Sequence, residues 1–146
     1  MEHFPSTLVE SEVVELIAKL NEHYETNGFT YYATEILDNQ EFIGMIGLAS
    51  QTYASAYTPA IDIGWRLKRK AWGKGYATEG AKRCLEYAFD ELGIDRIISV
   101  CICQNLKSEE VMKKIGMTKI GSFDHPEMKD HPDYERHHCY EIVNGE

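Results

Sequence analysis

The chain has 146 residues, 43% apolar and 27% charged, with a formal charge of −9. That length fits one globular domain, spanning 1–146, with a core large enough to fold without metal or disulfide staples. The acidic balance argues against nonspecific binding to nucleic acid or to anionic membranes. No N-terminal run resembles a signal peptide, and no stretch approaches the roughly 20 apolar residues of a membrane span, so a cytoplasmic protein is expected.

In chain order, Glu10 to Glu25 reads as an amphipathic helix with Val13, Val14, Ile17, Leu20 and Tyr24 along one side. Asn27-Gly28 ends it. Phe29 to Leu37 and Phe42 to Ala49 have strand composition and flank a turn at Asp38-Asn39, which makes a hairpin. A tyrosine-bearing loop, Gln51 to Pro59, leads to a strand over Ala60 to Lys68. In it Ile61, Ile63, Trp65 and Leu67 face one way and Asp62, Gly64 and Arg66 the other. A helix from about Gly75 to Leu92, with Ala77, Ala81, Leu85, Ala88 and Leu92 as its stripe, precedes a buried strand over Arg96 to Cys103. Strand, helix, strand predicts a parallel pair with a right-handed crossover. Asn105 suits the N-cap of a short helix that closes at Gly116, and Met117 to Val143 reads as two strands around a His- and Pro-bearing loop.

The turn between Trp65 and the long helix concentrates positive charge. Arg66, Lys68, Arg69, Lys70, Lys74, Lys82 and Arg83 are seven of the fifteen Lys and Arg in the chain. A basic, glycine-bearing strand-to-helix turn suits a phosphate ligand, because the first amides of a helix are unpaired and carry partial positive charge. The glycines fit neither common nucleotide fingerprint. Gly75 is followed by Tyr76 where a P-loop needs Lys, and Thr78 stands where a dinucleotide turn needs its third glycine.

Leu67, "WGKGYATEGAKRCLEYAF" and "NLKSEEVMKKIGM" together resemble the GNAT superfamily of N-acetyltransferases, in the RimJ/RimL-type branch of ribosomal-protein-alanine acetyltransferases. The likeness runs from about Phe29 to Val143 and extends to "TPAIDIGWRL" and "FDHP". The family pattern [QR]xxGx[GA] falls on Trp72, Gly75 and Ala77, with Trp72 departing from Gln or Arg. The resemblance implies an α/β (α+β) fold: a mixed, mostly antiparallel sheet with a central parallel βαβ and a splayed strand pair. By the same resemblance, the family's N-terminal strand is expected to be missing before the first helix. The implied cosubstrate is acetyl-CoA, with no metal. The amides of Gly73, Lys74, Gly75, Tyr76, Ala77 and Thr78 would hold its pyrophosphate. Lys68, Arg69, Lys70 and Lys74 are candidates for the 3′-phosphate, and Leu67 with its neighbours would hold the pantetheine arm. Asn105 and Ser108 match the branch's NxxS, with helix capping as the plainer role for Asn105.

Met112 stands where many members carry a tyrosine general acid, which leaves Ser108 to assist thiolate departure. Asp62 is the candidate base, against a purely structural pairing with Arg66. The implied reaction is direct acetyl transfer to a primary amine of a protein N-terminus or small molecule. The rivals are a non-catalytic acyl-CoA-binding module and a protein that binds some other nucleotide. His125, His131, His137, His138 and Cys139 share no recurring ligand spacing and read as solvated loop and strand residues, with His125 and Asp124 as possible pocket-lining residues. Cys84, Cys101, Cys103 and Cys139 form no CxxC pair and read as free thiols. The poorly protected strand Phe29–Leu37 predicts a homodimer through that edge, or cover by Met1 to Leu8 folding back.

Overall fold

A computed structural model describes residues 10–36 and 39–145 of the chain. The elements follow the apolar periodicity closely: α1 (Glu10–Asn27), β1 (Tyr31–Glu35), β2 (Phe42–Gln51), β3 (Ala60–Leu67), α2 (Tyr76–Asp90), β4 (Arg96–Ile102), α3 (Leu106–Lys114), β5 (Thr118–Asp124) and β6 (Arg136–Val143). Strand β1 is shorter than its composition suggests, and part of the expected turn before β2, residues 37–38, lies outside the described residues.

The six strands form one sheet in the order β1-β2-β3-β4-β6-β5. Every neighbouring pair is antiparallel except β3–β4. That parallel pair is joined in register at one place, Asp62 opposite Ile98. Beyond it the strands part, and two side chains take up the freed carbonyls of β3. Ser99 Oγ donates to the Ile63 carbonyl at 2.8 Å, and the Trp72 indole N–H donates to the Leu67 carbonyl at 2.9 Å. The pairing of β3 with β2 fixes which groups face the gap. Lys68 N–H donates to the Ile43 carbonyl, so in an antiparallel ladder the even-numbered residues of β3 bond to β2. The main-chain groups of Ile63, Trp65 and Leu67 therefore point toward β4.

Helix α2 covers one face of the sheet. Its Ala81, Leu85 and Ala88 are buried against Leu48, Ile63, Ile97, Cys101 and Tyr140, with Met112, Ile115 and Met117 completing the cluster from α3 and its exit. The opposite face has a smaller cluster of Ile98, Phe123 and Cys139, flanked by Tyr53, Tyr57 and Val100. Helix α1 departs from expectation. Ile17 and Tyr24, on its anticipated core side, are 53% and 50% exposed. Among the described residues, it is tied to the sheet through its last turns, where His23 Nε2 accepts the Ser50 N–H at 3.0 Å and Tyr24 meets Tyr32 edge-on at 6.3 Å.

All four cysteines are free; Cys101 and Cys139 are buried, and Cys84 and Cys103 are half-buried. Among the described residues, no helix is long and apolar enough to cross a membrane.

Candidate active site

The parting of β3 from β4 opens a cleft of about 630 Å³ that runs from the start of α2 to the β5–β6 connection. Its first end is built by the basic turn. Arg69–Ala71 make a single 3-10 turn, and Gly73 and Gly75 follow at φ 73° and 84°. A Cβ at either glycine would meet nothing within 4 Å, so glycine is required there by the left-handed backbone and not by lack of space. Gly75 is the N-cap of α2 and places no side chain over the helix end. The first intrahelical bond runs from Glu79 N–H to the Gly75 carbonyl, which leaves the amides of Tyr76, Ala77 and Thr78 without intrahelical partners. These three residues and both glycines line the cleft.

The basic side chains divide differently from the sequence expectation. Lys70 pairs with Glu41 at 3.2 Å, Lys68 lies 5.1 Å over the Phe42 ring, and neither they nor Arg69 and Lys74 are among the lining residues. Lys107 and Lys114 of α3 line the cleft instead. The Trp72 ring joins the two groups, with Arg69 5.8 Å and Lys107 4.6 Å from its centroid.

Midway along, Asn105 caps α3 by accepting the Ser108 N–H at 3.2 Å, and Ser108 Oγ accepts the Trp65 indole N–H at 3.3 Å. Because that oxygen is an acceptor from Trp65, the Ser108 proton is available to another group. Asn105, Ser108 and the buried Met112 all line the cleft, as do Trp65 and Leu67.

The far end lies on the sheet face opposite α2. Asp62 is 6% exposed and accepts the Tyr31 hydroxyl at 2.6 Å, with Gln51 Nε2 donating to the same phenol at 3.3 Å. Burial pushes the Asp62 carboxyl up to about 7, against the lowering effect of the hydrogen bonds with Tyr31 and Gln51. Its partner is thus a phenol from β1, two strands away, and not Arg66, the structural alternative weighed from the sequence. Tyr31 reaches it across a glycine channel. Tyr31 stands opposite Gly47, which stands opposite Gly64, and a Cβ at Gly64 would lie 3.3 Å from the Tyr31 ring.

Among the tail histidines His131 is exposed as expected and His125 takes its pocket-lining alternative, while His137 departs from the solvated reading. His125 and His137 are 8% and 7% exposed, and both line the cleft. The His125 ring lies 4.1 Å from Tyr53 and 4.9 Å from His137, with Phe123 5.7 Å from His125 and 5.8 Å from His137. Burial lowers both imidazoles, His125 to about 4. His138, on the opposite face of β6, contacts Ser122 at 2.8 Å. Asp124 pairs with Arg136 at 3.3 Å outside the cleft. Among the described residues no group of three or more His, Cys, Asp or Glu is arranged to hold a metal.

Of the residues singled out in the sequence, the glycine turn, Asp62, Asn105 and Ser108 line this cleft; Tyr31 and Lys107, not singled out, and His137, read as solvated, line it too. A signal for Tyr31 existed: Gly47 and Gly64 stand opposite each other, and Tyr31 stands opposite Gly47 on the same row across the three strands. For His137 the cue was its alternation with Cys139, an inward position of the strand.

The sequence matches the Acetyltransferase (GNAT) domain family over residues 1–118. Over 62 residues it is 47% identical to the uncharacterized N-acetyltransferase YnaD of Bacillus subtilis, covering 42% of this chain and 36% of that protein. Over 87 residues it is 37% identical to FsC-acetyl coenzyme A-N(2)-transacetylase of Aspergillus fumigatus, covering 57% and 37%. The chain thus spans little more than a third of the length of these two relatives. A crystal structure of an acetyltransferase (GNAT family) from Bacillus anthracis superposes with a TM-score of 0.73 at 26% identity, covering 95% of this chain and 77% of that one. With the family match over most of its length, a splayed parallel pair and a glycine turn opening the helix between its strands, this chain belongs to the GNAT acetyltransferase family.

Proposed function

We propose that the protein transfers the acetyl group of acetyl-CoA to a primary amine by direct attack in a ternary complex, within a single acyltransferase domain over 1–146. The observation that carries this reading is the cleft itself, which has unpaired helix amides at one end and a buried carboxyl near neutrality at the other. The residues present fit coenzyme A. The amides of Tyr76, Ala77 and Thr78, made accessible by Gly73 and Gly75, would receive the pyrophosphate, with Lys107 and Lys114 adding positive charge. Arg69 and Lys74 remain candidates for the 3′-phosphate at the outer rim. Trp72 fixes the turn to β3 through the Leu67 carbonyl. The N–H groups of Trp65 and Leu67 face the gap and would hold the pantetheine arm and polarise the thioester carbonyl.

In the chemical step the amine must attack as the free base. A lysine-type amine, pKa about 10.4, is neutral in about one molecule in two thousand at pH 7, and an α-amine, pKa about 7.7–8.0, in roughly a tenth. Asp62, at about 7, can take a proton from an α-amine with little penalty, which tilts the acceptor toward an N-terminus or another low-pKa amine. Ser108 would give its available hydroxyl proton to the departing sulfur, and direct transfer from a thioester needs no metal. Asn105-x-x-Ser108, Trp72 and Asp124-His125-Pro126 support the RimJ/RimL-type branch in particular. The printed name of the Aspergillus relative, an N(2)-transacetylase using acetyl coenzyme A, supports an amine acceptor.

The second reading, a non-catalytic acyl-CoA-binding module, is favoured by Met112, which can donate no proton from its buried place in the cleft. A cytoplasmic homodimer fits the free thiols and the exposed apolar residues near the β1 edge. Calorimetry with coenzyme A tests the ligand. Gly75→Glu would put a side chain and a negative charge at the helix end, and binding should fall at least tenfold; unchanged affinity in a folded variant would remove the phosphate site from this turn.

A further inference from the structure

An ammonium group sheds two protons on becoming an amide, and the cleft assigned above has used only one acceptor. Asp62, once protonated by the incoming amine, cannot take the second. The two buried histidines differ in a way that bears on this. Glu127 N–H donates to His125 Nδ1 at 3.2 Å, so the neutral His125 ring carries its proton on Nε2. His137 Nδ1 lies 2.9 Å from the Glu135 carbonyl, which can only accept, so the His137 proton is on Nδ1 and Nε2 keeps its lone pair. The same carbonyl accepts the His125 main-chain N–H at 2.8 Å and so ties the two residues into one unit.

Nε2 of His137 is also reachable. Among the described residues, the side-chain N and O atoms that are both buried and unpartnered are Thr30 Oγ1 and Tyr53 Oη. His137 Nε2 has no recorded hydrogen bond and is not one of these, and its residue lines the cleft together with Asp62 and Ser108. Burial, with His138 nearby, lowers the pKa of the ring against the raising effect of the Glu135 carbonyl, which favours its neutral form.

We propose that His137 is a second proton acceptor of the transfer reaction, taking the proton that the acceptor nitrogen sheds as it bonds to the thioester carbon. The proposal rests on the acetyl-transfer reading. Asp62 first takes one proton from R–NH3⁺. The amine pair then forms the C–N bond while the carbonyl π pair moves to oxygen, and the now positive nitrogen gives its second proton to His137 Nε2. The carbonyl re-forms, the C–S bond breaks, and the thiolate leaves with the bonding pair. Ser108 gives its hydroxyl proton to that thiolate and regains one of the two shed protons, and the other reaches bulk water as Asp62 and His137 reset. His125 acts on His137 by packing and through the shared carbonyl, as a positioning residue.

Two measurements test this. In ¹⁵N-labelled wild-type protein at pH 7, histidine long-range correlation spectra should show His137 neutral, protonated at Nδ1 and bare at Nε2. An imidazolium, or an Nε2–H tautomer, overturns the proposal. Thiol release from acetyl-CoA is then followed with alaninamide, an alanyl tripeptide and spermidine as acceptors. His137→Ala should lower kcat by about a hundredfold or more, leave coenzyme A affinity by calorimetry unchanged, and recover turnover when imidazole is added; His137→Gln should lose turnover without recovery. His137→Ala turning over as wild type, or losing turnover that imidazole does not restore, overturns the proposal alone. Wild-type protein that releases no thiol with any of the three acceptors overturns the transfer reading, and the proposal falls with it.

Discussion

Asp62 and Tyr31 are one unit built from two distant strands, and the unit depends on a side chain that is not there. At Gly64 even a methyl group would stand 3.3 Å from the Tyr31 ring, so Gly64→Val should push the phenol off Asp62. Turnover of that variant should fall to the level of Tyr31→Phe, and the two losses should not add in the double variant, as expected for residues acting through one contact. Tyr31→Phe has its own signature. The lost hydrogen bond is one that lowers the Asp62 pKa, so the acid limb of kcat should move to higher pH. Asp62→Asn should lower turnover at pH 7 and lose less at high pH, where free amine is plentiful; an equal loss from pH 6.5 to 9.5 would leave Asp62 a structural residue. Stability gives an independent reading. The folded state holds Asp62 up at about 7 because burial disfavours its charge, while in the unfolded chain an Asp titrates at about 3.9. The protonated carboxyl is favoured by folding, so its contribution is whole below the unfolded pKa and is lost as pH rises to about 7. The melting temperature of wild type relative to Asp62→Asn should therefore decline between pH 4 and 7 and then level off.

At the scale of elements, the β3–α2–β4 crossover positions the glycine turn, the free amides of α2 and Asp62, and α3 brings Lys107, Ser108 and Lys114 to the same cleft. Asn105 holds the first turn of α3, and with it Ser108 and Lys107. Asn105→Ala should cost about 1 kcal/mol of stability in denaturant titration and weaken coenzyme A binding as well; loss of stability with unchanged affinity would confine Asn105 to capping. These elements were legible in the sequence because each is written in local signals. Apolar residues at helical spacing announced α2, Asn105 and Gly116 bracketed α3, and a basic glycine turn marked the ligand end. The Asp62 end was less legible, because its contacts join residues far apart in the chain. Tyr31 meets Asp62 across 31 positions, and His125 meets its partners only when β5 and β6 pair. Helix α1 misled for a related reason. Its apolar spacing is real, but nothing in a sequence says whether the face it creates meets the same chain, and Ile17 and Tyr24 are left half exposed.

Across the whole molecule, a body of formal charge −9 carries a turn rich in Lys and Arg, so attraction to a multiply charged anion is local and set against a repelling surround. Coenzyme A affinity should accordingly fall as salt is raised, though the helix amides, which carry no titratable charge, should retain part of it. The exposed Tyr24, Tyr32 and Phe42 lie beside β1, where the sheet ends among the described residues: Tyr24 meets Tyr32, and Phe42 stands opposite Glu35. Residues 1–8, the alternative cover for that edge, lie outside the described residues. Sedimentation should give a dimer at micromolar concentration; a monomer with fast amide exchange along 31–35 would leave the edge uncovered and contradict it. The central claim, that this cleft moves an acetyl group to an amine, is tested most directly by incubating the protein with acetyl-CoA and a panel of amines. Free thiol and acetylated amine are then measured together by colour reaction and mass spectrometry. The account predicts thiol release that depends on the amine, matches the acetylated product one for one, and is lost in Gly75→Glu. Tight coenzyme A binding with no amine-dependent release would contradict it and leave a binding module in its place.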